Sequence, residues 1–237
     1  MPGPYIDFIS AYCDKWCERC AFTERCSHFA VSAAQTMCDG DVGAAIELAI
    51  GPPRVPGEEP QPTLEDRAAS VLDGYEEPTA KELAEIGREM EERATRVRRH
   101  PLSRASRDYA VAALRWLGAR RDADSTDAEA LAVLRRDAYL IPAKLHRALK
   151  GRDEDPKGTF WWGRVQNDWN GSAKVARISV DRSERAWRTI TAESGDAGAS
   201  ALADVLAALR GHLDREFPHA MQFRRPGFDT KPGAGEP

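Results

Sequence analysis

The sequence predicts an all-α protein: an N-terminal helical hairpin stapled by four cysteines, followed by an antiparallel helical bundle. Three observations carry this expectation. Apolar residues recur at helical spacing almost throughout, while strand-like alternation is scarce and β-branched runs are absent. Helix start and stop signals punctuate the chain. All five cysteines of the 237 residues lie at or before Cys38, and four of them, Cys13, Cys17, Cys20 and Cys26, form one Cys-x3-Cys-x2-Cys-x5-Cys run.

Taken in order, Ile6, Ile9, Cys13, Trp16, Cys17 and Cys20 fall at helical spacing, which predicts a helix over 6–20. A second helix is expected over 23–37, with Thr23 as its cap, and a short third one after Asp41 through AAIELAI. Residues 1–50 form the expected four-cysteine module. Residues 51–62, GPPRVPGEEPQP, hold five prolines in twelve positions and read as a linker. The bundle is expected over 63–215. Thr63 can cap LEDRAASVL, which Gly74 ends, and Thr79-Ala-Lys-Glu82 is a capping box.

The helix that follows carries a stripe of Leu83, Ile86, Met90, Ala94 and Val97 and stops at His100-Pro101. The next carries Tyr109, Ala113, Leu114 and Leu117. Thr126-Asp-Ala-Glu129 is another capping box, opening a helix with Leu131, Leu134, Ala138, Ile141, Leu145 and Ala148, inside which Pro142 predicts a kink. Residues 151–171 read as a long irregular loop. A helix from Ser172 carries Val175, Ile178, Trp187 and Ile190, and a last one carries Leu202, Val205, Leu206, Leu209 and Leu213. Residues 216–237 read as a flexible tail.

Composition narrows the function. The formal charge of -4 provides no global basic field, so nucleic acid is not an expected partner. The start MPGPYIDFIS lacks a signal-peptide pattern, and no apolar stretch approaches the ~20 residues of a membrane span. A cytoplasmic location without membrane contact is the expectation. In that reducing compartment, clustered cysteines serve metals more often than disulfides.

Thiolate is the side chain that soft and borderline metals prefer. On a helix, Cys17 would lie about 40° from Cys13, and Cys20 about 20° to the other side. Cys26 can join them only if the chain turns between Ala21 and Thr23, which would place its thiolate in the first turn of the next helix. Structural zinc sites use two short knuckles separated by a longer loop, whereas iron–sulfur clusters accept compact, uneven runs. An iron–sulfur cluster is therefore the first expectation and zinc the alternative. His28, two residues past Cys26, and Cys38 are additional candidate ligands.

The segment WCERCAFTERCSHFA resembles the core of the WhiB-like iron–sulfur regulators in the Cys-x2-Cys-x5-Cys spacing of Cys17, Cys20 and Cys26. Cys13 would stand for that family's first cysteine, which normally lies further upstream. The resemblance covers about fifteen residues and implies a four-iron, four-sulfur cluster. The glycine–tryptophan turn and basic tail of that family are missing, so it does not imply DNA binding. The start Tyr-Cys-Asp-x-Trp-Cys-Glu-Arg-Cys is also similar to that of bacterial helical proteins of unknown function, a resemblance that implies no activity.

Two further features bear on function. The basic stretch at Arg96 to His100 reads as a solvated helix end after Glu89, Glu91 and Glu92. The loop 151–171 carries Phe160, Trp161, Trp162 and Trp169 and reads as a cap on the core or as a ligand lid. Beside it, Lys144, His146, Arg147, Asp168, Lys174 and Asp181 form a candidate polar pocket if their helices pack together. The only Glu-x-x-His match, Glu216 to His219, contains a proline, which argues against a carboxylate-bridged di-metal bundle.

Three functions follow. The first is an iron–sulfur protein of electron transfer or redox sensing, with a redox or other protein partner. The second is a zinc-stapled helical interaction module. The third is an enzyme with a polar site near His146, Lys174 and Asp181 and a purely structural metal.

Overall fold

A computed structural model describes residues 5–51, 77–120, 127–156 and 163–229. Among the described residues there are seven α-helices and no strand, so the all-α expectation holds. They are α1 (Ser27–Met37), α2 (Val42–Ile50), α3 (Ala80–Arg99), α4 (Pro101–Ala119), α5 (Ala128–Glu154), α6 (Asp168–Ser194) and α7 (Ala197–Glu216). The expected linker, the expected helix after Thr63, the Thr126 cap and the aromatic cluster Phe160, Trp161 and Trp162 lie outside the described residues. No described helix is long and apolar enough to cross a membrane.

The chain divides into two compact units, one of Met1–Ser10 with Cys17–Glu91 and one of Ala11–Trp16 with Glu92–Pro237. The six residues that carry Cys13 thus belong with the helical body, which the expected boundary at residue 50 did not anticipate.

In the first unit, α1 packs on α2. Asp41 caps α2 by accepting from the Ala44 amide at 3.0 Å. The residues ahead of α1 tie into the pair locally. The Ile6 amide donates to the Arg25 carbonyl at 3.0 Å, and the Tyr5 hydroxyl donates to the Ala49 carbonyl at 2.6 Å. Only Ile6, Ile9, Ala34 and Ala45 of its described residues are buried hydrophobics. The capping box at α3 forms as expected: Glu82 accepts from the Thr79 amide at 2.8 Å, and Thr79 Oγ1 accepts from the Glu82 amide at 3.3 Å. The expected stripe on α3 does not become core in this half, because Leu83, Ile86 and Met90 are exposed.

In the second unit, α4, α5, α6 and α7 close a ring in which each touches its sequence neighbours and α4 meets α7. Ion pairs fix the antiparallel sense. Arg182 meets Asp137 and Arg147 meets Asp168 across α5 and α6, while Arg177 meets Asp214 and Arg188 meets Asp204 across α6 and α7. Gly195 takes φ +67° at the end of α6, a left-handed conformation that lets a two-residue turn reverse the chain into α7. The stripes predicted on α5 and α7 are buried apart from Val205. At the centre, Trp187 donates its indole N–H to the Tyr109 hydroxyl at 3.0 Å and stacks edge-on with Trp116.

Two boundaries differ from expectation. Helix α5 continues to Glu154 and α6 starts at Asp168, so the irregular stretch is shorter than 151–171. The Asn167 side chain causes the early start, since it accepts from the Asn170 amide at 2.9 Å as an N-cap. The described part of the expected flexible tail is packed: Phe217, Ala220 and Phe223 are buried, and Lys174 donates to the Phe223 carbonyl and pairs with Asp229.

Candidate functional site

The cysteine run does not form a helix. Residues 6–26 contain three short 3-10 turns, Ile9–Ala11, Cys17–Arg19 and Thr23–Arg25, and the first α-helix starts at Ser27. Lys15 at φ +59° breaks the expected helix between Cys13 and Cys17. The expected face of three thiols is therefore replaced by one thiol, Cys17, within a 3-10 turn and three, Cys13, Cys20 and Cys26, in the segments outside the turns. Cys26, expected in the first turn of a helix capped by Thr23, is itself the N-cap of α1, and its carbonyl accepts from the Ala30 amide at 3.0 Å. Cys38 ends α1, and His28 is exposed on it.

None of the five cysteines is in a disulfide, and all are half-buried. Two sulfurs accept backbone amides two residues on: Cys13 Sγ from Lys15 and Cys20 Sγ from Phe22, both at 3.4 Å. Amides aimed at sulfur tune bound iron–sulfur groups. Among the described residues, no three Cys, His, Asp or Glu side chains stand grouped to hold a metal ion. The donor chemistry of the four cysteines fits a thiolate-bound metal.

The segment Ala11–Trp16 is built into the helical unit. The Ala11 carbonyl accepts from Lys144 Nζ at 2.8 Å and Arg147 Nη1 at 3.4 Å. The Asp14 carbonyl accepts from Arg136 Nε and Nη2 at 3.1 and 2.9 Å, and the Asp14 carboxylate accepts from Arg182 at 2.7 Å. Trp16 lies near two guanidiniums, those of Arg136 and Arg182, 5.2 and 5.4 Å from its ring centroid. Tyr12 donates its hydroxyl to Asp168 Oδ1 at 3.1 Å and packs on Phe223 with centroids 4.7 Å apart.

Electrostatics follow from burial and pairing. Lys144 is 7% exposed, and burial brings its ammonium down to about 8, with the Cys13 charge opposing and Arg147 and Lys15 reinforcing. Burial would raise the Asp14 carboxyl, but the Arg182 hydrogen bond and charge outweigh it and hold the group below its usual value. Asp137, fully buried beneath, is pushed up by burial against the Arg182 fork at 2.9 and 2.6 Å and the Ser183 hydroxyl at 3.1 Å.

The run Gln166 to Gly171 is the counterpart of this segment. Gln166 exchanges two hydrogen bonds with the Arg224 backbone at 2.7 and 3.0 Å. Asn167 and Asn170 tie down the carbonyls of 163–165. Asp168 takes Tyr12 and Arg147, Trp169 enters the core, and Gly171 meets the Tyr12 ring.

The candidate polar pocket does not assemble as one site. Lys144, Arg147 and Asp168 gather around Ala11 and Tyr12. Lys174 serves Phe223 and Asp229, Asp181 pairs with Arg177 and Arg210, and His146 is exposed. The basic stretch at Arg96 is a paired helix end, with Arg96 on Asp153 at 3.0 Å. It borders a cleft of about 410 Å³ with His100, Leu149 and Arg152 on its walls.

Sequence reasoning missed the roles of Tyr12, Trp16, Arg136 and Arg182. The available signal was the presence of two aromatics four residues apart around Cys13, which helical periodicity absorbed. No family model matches the chain, and neither a curated protein nor a solved structure matches it.

Proposed function

We propose that this chain is a cytoplasmic iron–sulfur protein of electron transfer or redox sensing, with Cys13, Cys17, Cys20 and Cys26 as thiolate ligands of a four-iron, four-sulfur cluster. The observation that carries this reading is four cysteines within fourteen residues, none in a disulfide and two of them accepting backbone amides at sulfur. The cluster, when bound, supplies a one-electron couple. The chain's own residues hold the ligands: turns space the thiols, amides offset sulfur charge, and Lys15 and Lys144 add positive charge near Cys13. Four protein ligands leave no open iron position, so the partner expected is a redox protein and not a substrate bound at iron. Anaerobically purified protein is expected to be brown and to hold iron and sulfide. A colourless protein with stoichiometric zinc overturns the reading.

That second outcome would favour a zinc-stapled interaction module. The exposure of Met37, Val42, Ile46, Leu48 and Ile50 on α1 and α2 supports it, since a partner could cover them. Chelation would then abolish the N-terminal fold without any visible absorption.

A further inference from the structure

We propose that the docking of Ala11–Trp16 on α5 and α6 is the device that positions Cys13 as a ligand, and that Gly171 is the residue that admits it. This inference rests on the cluster reading above and adds the positioning residues: Tyr12, Lys144, Arg136, Arg182 and Gly171.

Four observations within the helical unit converge. The carbonyls captured by cations, Ala11 and Asp14, lie on the two sides of Cys13, so the main chain is held across the ligand. Tyr12 and Trp16 anchor the same stretch at both ends. A Cβ at Gly171 would stand 2.4 and 2.5 Å from Tyr12 ring carbons and 2.8 Å from Phe223 Cζ, so any side chain there must displace the docked ring. Lys144 is buried to hold a loop carbonyl, a costly use of a lysine that a surface loop without a task would not require. Between the anchors, Lys15 adopts its left-handed φ and turns its amide to the Cys13 sulfur. The side chain of Cys13 is thus oriented before any metal arrives, which lowers the ordering cost of binding. The Lys144 ammonium also remains beside an anionic cluster, where positive charge favours the reduced form.

The test uses the full chain, reconstituted anaerobically with iron and sulfide. Gly171→Ala is expected to keep its helical circular dichroism and cooperative melting but to lose most of its cluster. Lys144→Met is expected to lower cluster occupancy and to shift the midpoint potential of the cluster that remains downward, a readout that a purely structural role would not move. A folded Gly171→Ala protein with wild-type iron, sulfide and potential overturns the proposal. If Gly171→Ala does not fold, Tyr12→Ala removes the docked ring without adding an atom to the bundle, and the same outcomes apply.

A second arm needs no cluster. In a chain whose other four cysteines are serine, alkylation of Cys13 by iodoacetamide is expected to rise about fivefold in Tyr12→Ala, the equivalent of one lost hydrogen bond. An unchanged rate overturns the positioning role. Absence of iron and sulfide from the wild-type chain overturns the cluster reading alone and leaves this arm to decide the positioning.

Discussion

Two neighbouring stretches of irregular backbone, Ala11–Trp16 with one thiol and Cys17–Cys26 with three, are held by different means. The first is fixed by side chains from distant helices: four cations, an aromatic partner and a glycine that makes room. The second carries short-range backbone bonds, such as the Cys20 amide on the Cys17 carbonyl and the Cys26 amide on the Thr23 carbonyl. A turn held by its own short-range bonds has little burial to offset its chain entropy. The contrast teaches where a metal would matter energetically: least at Cys13, which the helical unit already orders, and most at Cys17, Cys20 and Cys26.

The largest expected effect breaks the contrast at its metal side. Cys20→Ser is expected to abolish cluster binding, read as iron per chain, while the urea unfolding of the helical unit changes by less than about 0.5 kcal/mol. Asp137→Ala attacks the other side. It leaves the Arg182 guanidinium without its buried partner and is expected to cost about 3–5 kcal/mol in urea unfolding. Trp16→Ala removes a half-buried ring and two guanidinium contacts, for ~2 kcal/mol in the same measurement.

A pH experiment sharpens the comparison further. Burial would raise Asp229, but hydrogen bonds from Arg225 and Lys174 prevail and hold it at about 2, below its ordinary 3.8. A depressed carboxyl contributes stability that is present above 3.8 and lost as the pH falls through about 2. Asp229→Asn should therefore flatten the acid limb of stability over that window, followed by Trp fluorescence. The smallest effect lies on exposed α3, where Thr79→Ala is expected to cost ~1 kcal/mol of local helix, read by amide exchange in its first turn.

Helix legibility followed the strength of local signals. Thr79 with Glu82, the stop at His100-Pro101 and the stripe from Leu131 to Ala148 all produced the helices they predict, because capping bonds and buried faces act within one element. The helix expected over 6–20 failed for a complementary reason. Its apolar positions are real anchors, Ile6, Ile9 and Trp16, but they are used by different parts of the structure. Periodicity cannot distinguish one amphipathic helix from a chain that sends successive side chains to separate partners. The polar candidates from Lys144 to Asp181 are divided among separate ion pairs, because charges on long helices take the nearest opposite charge.

The amino-acid sequence by itself determined the all-α class, most helix limits beyond residue 79 and the clustering of four thiols, since these rest on local propensity, capping and residue chemistry. Only the tertiary structure decided that Cys13 belongs with the helical unit, that Asp137 and Arg182 pair beneath it, and that Gly171 must lack a side chain. Those depend on groups more than thirty residues apart meeting at van der Waals and hydrogen-bond distance, and no local pattern encodes that meeting.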